Sequence, residues 1–330
     1  MVKLRSKRKS KKILIISSTH CEITTEKVID WLIHFNNKFY RINGEEFHPD
    51  FSNEVLIHID SRKCRINKRD LYKENFYSWW VRRIGNSITN LDSIENYHVL
   101  EYYKNNLLSL KCFVFNNVRV TNDKITNLFQ IHVNKLYVLK IARKLKIRVP
   151  EYLITNIKQS IVDFYFTKKE KVVIKDINLP YFEKNKQEEF SSYTKLVDIT
   201  LLNKLPQFFP PTFFQEYIEK EYEIRSFYLN GKFYSMAIMS QKDEQTKIDF
   251  RRYNLENPNR TVPYQLPTQY EIKLKKLMDT LHLNTGSLDI IKGKDGKYYF
   301  LEVNPVGQFG MVSYPCNYKL EKEIALLLSK

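Results

Sequence analysis

Gly286-Ser287-Leu288-Asp289-Ile290-Ile291, then Lys292-Gly293-Lys294-Asp295-Gly296-Lys297, then Tyr298-Tyr299-Phe300-Leu301-Glu302-Val303-Asn304-Pro305 is the stretch whose reading decides the fold. Two apolar runs of strand length flank a charged segment whose Asp295-Gly296 is a hairpin signal. Such a hairpin lets Asp289, Glu302 and Asn304 converge on one side as three oxygen donors. Hard oxygen donors without His or Cys suit magnesium, which takes a few carboxylates and leaves its other positions to water and phosphate oxygens. Nucleotide chemistry is the first expectation.

Upstream of the hairpin, Phe213 to Ile218, Glu223 to Leu229 and Lys232 to Met239 alternate as strands of a largely antiparallel sheet, with Asn230-Gly231 at a turn. Tyr270 to Leu283 reads as a helix. A second helix runs from Lys135 to Leu145, with Leu136, Leu139 and Ala142 on one face, and stops before Val149-Pro150, where the pre-proline position disfavours helix. Tyr152 to Thr155 and Lys171 to Lys175 are strands, and the polar segment Asp176 to Ser192 is an irregular loop or lid. At the start of the chain, Ile13 to Ser17 is a buried strand. A helix follows, bearing Val28, Trp31, Leu32 and Phe35 after the caps Thr24 and Thr25. Lys38 to Asn43 and Glu54 to Ile59 are further strands, Arg62 to Arg69 is a charged turn, and another strand-like run precedes Trp79-Trp80-Val81-Arg82-Arg83. The expected organisation is a basic tail over 1–12, an open α/β domain over 13–120, and two further units over 121–204 and 205–330.

A chain of 330 residues, 43% hydrophobic and 14% aromatic, has material for two or three packed domains. The net charge of +17 raises nucleic-acid binding, but seven of the first twelve residues are Lys or Arg, and removing them leaves about +10. That remainder suits phosphates, an acidic peptide or RNA. The apolar run after the basic tail is too short for a signal peptide and no other run reaches membrane-spanning length, so a cytoplasmic protein is expected. Cys21, Cys64, Cys112 and Cys316 are scattered with no Cys-x-x-Cys pair, against a disulfide framework or a zinc site. Neither a GxxxxGK[ST] loop, nor GxGxxG, nor a GxSxG elbow occurs.

Lys135 opens a helix and Lys175 ends a strand, so two point charges from different elements are available for phosphates; solvent-facing lysines are the plainer account of either alone. Gln215-Glu216-Tyr217-Ile218 offers backbone groups that read an adenine edge, or is an ordinary edge strand. Glu223 and Arg225 share a strand face by their spacing of two. The carboxylate is suited to ribose hydroxyls and the guanidinium to a phosphate or a substrate carboxylate; a surface ion pair is the alternative. Asp249-Phe250-Arg251-Arg252 adds Arg251 as a stabiliser of a transferring phosphoryl group.

In this order, Lys135, Lys175, Gln215 to Ile218, Glu223-x-Arg225, Asp249-x-Arg251, Asp289 and Glu302-x-Asn304 resemble the ATP-grasp ligases. Trp79 to Arg83, Asn134-Lys135, Val149-Pro150 and Leu301-Glu302-Val303-Asn304-Pro305-Val306-Gly307-Gln308 look like the graspetide (microviridin-type) peptide maturases. Arg41-Ile42-Asn43 and Asn122-Asp123-Lys124 are most similar to the grasp-with-spasm branch. The resemblance implies an ATP-grasp fold, α/β and α+β, preceded by an N-terminal open α/β domain. It implies ATP held by Lys135, Lys175, Gln215, Glu216, Tyr217, Ile218 and Glu223, and magnesium on Asp289, Glu302 and Asn304. It also places Arg225 and Arg251 at the acyl phosphate. One departure is plain: the loop that is often glycine-rich in this fold has no glycine from Asp176 to Tyr193, leaving Ser191, Ser192 and Thr194 as substitute donors.

The implied reaction phosphorylates Asp or Glu side chains of a ribosomally made precursor peptide. It then joins them to Ser or Thr hydroxyls or to Lys amines, forming macrolactones or macrolactams. No residue stands out as a general base; Asp249 is the nearest candidate. Arg82 and Arg83 are candidates for binding an acidic leader, against which Trp79 and Trp80 as core residues and the arginines as its solvated rim is the plain account. The family likeness implies a homodimer. Two alternatives stay open: a ligase that adds a free amino acid or amine, and a basic nucleic-acid-binding protein, which leaves the acidic triad unexplained.

Overall fold

The run Ile13-Leu14-Ile15-Ile16 is fully buried within strand β1 (Lys12–Ser17), and period-two alternation sends its side chains into two different cores. The structure, a computed structural model, describes residues 11–19, 22–47, 55–58, 63–66, 69–82, 97–122, 133–177, 182–184, 189–191, 193–252 and 254–330. After β1 come helix α1 (Ile23–His34), β2 (Lys38–Asn43), a small antiparallel sheet of β3 (Val55–His58), β4 (Lys63–Ile66) and β5 (Arg69–Asp70), then β6 (Ser78–Val81) and helix α2 (Tyr97–Asn116). β2 and β6 flank β1, both parallel to it. Ile13, Ile15 and Trp80 face α1; Leu14, Ile16, Trp79 and Val81 face α2. Both tryptophans are therefore core residues. Three expectations are corrected. The Arg62 to Arg69 turn contains β4, and α2 was not anticipated. Thr24 and Thr25 lie inside α1, where their hydroxyls donate to Glu22 Oε2 at 3.4 and 3.1 Å instead of capping.

The middle of the chain carries α3 (Lys135–Lys144), β7 (Tyr152–Ile157), α4 (Lys158–Thr167), β8 (Val172–Lys175), β9 (Phe182–Lys184), β10 (Glu189–Ser191), β11 (Lys195–Leu196), α5 (Ile199–Lys204) and β12 (Phe208–Glu216). The Asn134 side chain caps α3 by accepting from Tyr137 N–H at 3.0 Å. The antiparallel sheet runs β11-β8-β12-β7, over a core of Ile161, Tyr165, Leu202 and Phe214. The segment expected to be an irregular loop carries an antiparallel pair, β9 with β10.

The last unit holds β13 (Lys220–Leu229), β14 (Lys232–Ile238), β15 (Thr261–Tyr264), α6 (Thr268–Thr280), β16 (Thr285–Gly293), β17 (Tyr298–Asn304), α7 (Gly310–Cys316) and α8 (Leu320–Ser329). Its antiparallel sheet runs β15-β14-β13-β16-β17. Asn230 and Gly231 both have positive φ, 44° and 94°, as the two-residue turn between β13 and β14 requires. β12, expected in the same sheet as β13, instead pairs with β7 and β8. The change from the middle sheet to this one falls at Tyr217 to Glu219.

One face of this sheet, with Ile224, Tyr228, Leu288, Ile290, Phe300 and Val303, packs on α3 and α6. The opposite face is divided. Phe227, Met236 and Ile238 share a core with β1, α1, α7 and α8, so the N-terminal sheet and this one are joined by common apolar packing. Beyond that core the same face, carrying Glu223, Arg225 and Asp289, is left to a cavity.

Candidate active site

The cavity, about 300 Å³, lies between the middle sheet and the C-terminal sheet. Lys175 and Gln215 to Ile218 line it from one side; Glu223, Arg225, Asp289, Glu302 and Asn304 line it from the other. Lys135 enters from the start of α3, and Asp249 and Arg251 from the loop between β14 and β15. Every residue that the resemblance assigns to ATP, magnesium or the acyl phosphate lines this wall, as does Thr194; Arg82 does not, and Ser192 lies outside the described residues. Arg83 lies outside the described residues.

Two β-bulges make the arrangement possible. In the hairpin, Ile290 pairs with Phe300 but Asp289 pairs with Glu302, so Leu301 is an extra residue on β17. Had the Ile290–Phe300 register run on unbroken, Asp289 would face Leu301 and Glu302 would lie opposite Leu288, on the core side of the sheet. The bulge brings Asp289 and Glu302 side by side, with Asn304 two residues further along the same face. In β13 the register shifts between Lys220 and Tyr222, which places Lys220 on the same side as Glu223.

Charges in the wall are paired. Arg225 NH1 donates to both Asp289 oxygens at 2.5 and 2.6 Å, and Lys135 Nζ reaches Glu302 Oε2 at 2.8 Å and the Asp176 carbonyl at 3.1 Å. Burial would raise the Glu302 carboxyl, but the charges of Lys135 and Lys175 hold it down to about 2. Burial pushes Asp289 up against the pull of Arg225, and the neighbouring Glu302 charge adds to the rise. Burial also pushes Lys175 down, against Glu302. Its Nζ lies 3.4 Å from Gln215 Oε1.

Asp249 and Arg251 form a two-point fork, Nε to Oδ1 at 2.9 Å and NH2 to Oδ2 at 2.6 Å, and Thr194 N–H donates to the same carboxylate at 3.2 Å. Burial opposes the pairing, yet the fork holds the carboxyl down to about 2. A carboxylate with so low a proton affinity is poorly matched to the general-base role; it orients Arg251 instead. Thr194, its side chain expected as a lid donor, is anchored here by its backbone N–H. Glu223 is 7% exposed and its Oε1 accepts from Lys220 Nζ at 2.5 Å and Ser240 Oγ at 2.9 Å. Lys220 also donates to the Ile248 carbonyl at 2.9 Å, anchoring the loop that carries Asp249. Sequence reasoning missed Lys220 and Ser240. In an unbroken strand Lys220 would project away from Glu223, and only the bulge reverses that.

At the segment between the sheets, Tyr217 N–H donates to the Lys171 carbonyl at 2.9 Å and Glu216 N–H to Glu151 at 2.8 Å. Alternation along an extended chain turns Glu216 C=O and Ile218 N–H to the edge opposite Lys171. There Glu151 N–H, opposite Glu216, donates to the Glu216 side chain at 3.2 Å, and Pro150, which has no N–H, lines the cavity beside it. An adjacent acceptor and donor facing a cavity form a backbone reader suited to an adenine edge.

Arg82 does not serve a partner surface. It is 3% exposed, its Nε is 3.4 Å from Glu22 Oε2, and its guanidinium lies 5.5 Å from the Phe309 ring centroid. The burial that comes with the neighbouring core removes it from any peptide-binding rim.

The wall has the donor chemistry for a hard divalent cation. Two carboxylates stand in direct register with a carboxamide beside them, and Arg225 and Lys135 supply the positive charge these buried groups require. Among the described residues no three His, Cys, Asp or Glu side chains gather. A metal here would take Asp289, Glu302 and Asn304 and leave its remaining positions to water and phosphate oxygens.

Two antiparallel sheets closing on a nucleotide-sized cavity, behind an N-terminal parallel sheet, define an ATP-grasp fold. No protein-family model matches the chain, and no curated protein matches it. Among solved structures it is similar to the macrocyclase MdnC of Microcystis aeruginosa MRC bound with precursor peptide MdnA: 24% identity over 96% of this chain and 99% of that one, TM-score 0.81. A Chryseobacterium gregarium RiPP-associated ATP-grasp ligase, in complex with ADP and a leader and core peptide, matches at 21% identity over 97% and 95%, TM-score 0.81. The ATP-grasp ligase PsnB, complexed with a phosphomimetic variant of its minimal precursor, Mg and ADP, matches at 14% over 97% and 98%, TM-score 0.73. Likeness at these identities carries the fold. Among the described residues no helix is long and apolar enough to cross a membrane.

Proposed function

We propose that the chain is an ATP-dependent ligase of the graspetide type. It activates Asp or Glu side chains of a precursor peptide and joins them to Ser or Thr hydroxyls or Lys amines of the same peptide. The observation that carries this is the convergence of Lys135, Lys175, Arg225, Arg251, Asp289 and Glu302 on one cavity beside the Glu216 to Ile218 reader. MdnC is bound with a precursor peptide, PsnB with a variant of its minimal precursor and the Chryseobacterium ligase with a leader and core peptide, which supports a peptide substrate. The nearer likeness to the grasp-with-spasm branch and the homodimer rest on the sequence resemblance, and the cytoplasmic location rests on the lengths of the apolar runs in the sequence.

In this reading Glu216 C=O and Ile218 N–H hold the adenine, Glu223 accepts from the ribose, and Lys135 and Lys175 lie along the phosphates. Magnesium on Asp289, Glu302 and Asn304 would neutralise phosphate charge and fix the geometry of transfer. A peptide carboxylate oxygen forms a bond to the γ phosphorus as the bond to ADP breaks, giving an acyl phosphate and ADP. Arg251, oriented by Asp249, and Arg225, oriented by Asp289, stabilise the charge on the transferring group. A hydroxyl or amine then attacks the acyl carbon, phosphate leaves with the bonding electron pair, and the nucleophile's proton passes to solvent.

The test incubates the protein with ATP, magnesium chloride and acidic, Ser/Thr/Lys-containing peptides encoded beside its gene, with and without free amino acids. Loss of water from the peptide mass with ADP formed is the expected result. A gain of an amino-acid residue mass would replace the reading with carboxylate-amine ligation. Absence of magnesium-dependent ATP binding would remove both.

A further inference from the structure

The segment that leaves the site, Asn304-Pro305-Val306-Gly307-Gln308, is fastened from outside the ATP-grasp sheets. Val306 N–H donates to Asn304 Oδ1 at 3.1 Å and Gly307 N–H donates to the Asn304 carbonyl at 3.0 Å. The carbonyls of the same two residues, Val306 and Gly307, accept from Arg82 NH1, the second at 3.3 Å. Arg82 follows β6 in the N-terminal domain, where its own N–H donates to the Ile16 carbonyl at 2.8 Å. One pair of residues is thus gripped through its carbonyls by the N-terminal domain and grips Asn304 with its N–H groups.

We propose that Arg82 is a positioning residue for Asn304, so that the N-terminal domain completes the metal-binding end of the ATP site. The guanidinium spans the Glu22 carboxylate on one side and two carbonyls on the other, a reach that the point charge of a lysine does not reproduce. Ser287 Oγ, donating to the Gln308 carbonyl at 3.3 Å, holds the far end of the segment. Gly307 lets the chain lie on β16, since a Cβ there would meet Ser287 Cβ at 2.5 Å. Arg82 touches no reacting atom in this arrangement; it acts only through the loop. The N-terminal and C-terminal sheets share one apolar core, so the anchor is packed against the sheet that carries the site.

The inference rests on the ATP-binding reading, and its test separates the two. ADP affinity is measured by calorimetry with magnesium chloride and with EDTA, for the wild-type chain, Arg82→Lys, Asn304→Ala and the double variant, with thermal melting alongside. Arg82→Lys is expected to lose about tenfold of the magnesium-dependent part of the affinity while ADP binding in EDTA stays within about twofold, the range seen when an outer-shell partner is lost. The double variant is expected to lose no more than Asn304→Ala alone, because a residue acting through Asn304 has nothing left to act on. An undiminished magnesium effect in Arg82→Lys, or a further independent loss in the double variant, overturns the proposal. A purely structural role would lower melting and both affinities together. If Arg82→Lys does not fold, Glu22→Gln, which keeps the guanidinium but removes its ion pair, is carried through the same cycle and judged by the same two outcomes. Failure of the wild-type chain to bind ADP at all would count against the ligase reading instead.

Discussion

Replacing Lys220 by methionine gives the sharpest energetic expectation in the cavity wall. Lys220 is 2% exposed and Glu223 7%, and their 2.5 Å contact is closed from solvent. Removing one member of a buried ion pair costs about 3–5 kcal/mol, because the surviving charge stays buried without its partner. Ser240 Oγ still donates to Glu223 Oε1, which places the expected loss near the lower end, about 3 kcal/mol. The loss depends on pH. Burial already pushes the Glu223 carboxyl up, with Lys220 restraining it, so removing Lys220 raises it further. A carboxyl whose folded value lies above its unfolded one binds more protons when folded, so stability falls as pH rises through that interval. The deficit of Lys220→Met should therefore be small near pH 4, where Glu223 is protonated in both states, and reach its plateau above the raised folded value. Lys220→Met/Glu223→Gln should recover to within about 1 kcal/mol of wild type and lose the pH dependence, since a carboxamide still accepts from Ser240. Urea unfolding from pH 4 to 8 measures both. A deficit below about 1 kcal/mol at pH 8, flat with pH, would refute the claim that Glu223 is a buried charge held by Lys220.

Three further outcomes follow from named contacts. Glu302→Gln removes the carboxylate that stands opposite Asp289, so magnesium-dependent ADP affinity should fall at least about tenfold; calorimetry showing wild-type affinity would remove Glu302 from the metal site. Gly307→Ala brings a Cβ to 2.5 Å from Ser287 Cβ and should cost about 1–3 kcal/mol in unfolding experiments, with Ser287→Gly recovering part of it; a neutral Gly307→Ala contradicts the close approach. Burial pushes the Lys111 ammonium from 10.5 down to about 8, with Glu45 opposing. Between those values the unfolded chain binds more protons, so wild-type stability should rise with pH across about 8 to 10.5, by up to roughly 3 kcal/mol. Lys111→Met should flatten that rise in melting curves; a slope unchanged by the substitution counts against it.

The fold was legible where periodicity was clean. Ile13 to Ile16 read as a buried strand because neither face meets water, and the structure shows why: alternate residues serve two separate cores. Asn230-Gly231 and Asp295-Gly296 marked turns because positive φ at Asn230, Gly231 and Gly296 is tolerated there. What failed was subtler. In α2 the residues Leu107, Leu110, Val114 and Phe115 do recur at helical spacing, but polar and aromatic residues between them weaken the pattern. β12 and β13 both read as alternating strands, and nothing local distinguishes two strands in one sheet from two strands in different sheets. Only long-range pairing with β7 and β8 settles it.

The candidate site was legible as a set of residue types and illegible as a geometry, for one physical reason. A β-bulge shifts every later residue to the other face, and its sequence signature is a single extra residue that looks like any other. Strict alternation assigns Phe300 and Glu302 to one face; the structure puts Phe300 in the core and Glu302 in the cavity because Leu301 intervenes. The same offset at Glu221 turns Lys220 toward Glu223, which alternation would forbid. Arg82 fails differently. A basic residue after two tryptophans invites a solvent-facing role, yet the carbonyls of Val306 and Gly307, more than two hundred residues away, are its partners. Charged residues close in sequence to a core strand are ambiguous until the distant acceptors are located. At Arg82 those acceptors belong to the loop that leaves the site, so an apparent surface charge becomes part of how the site is held.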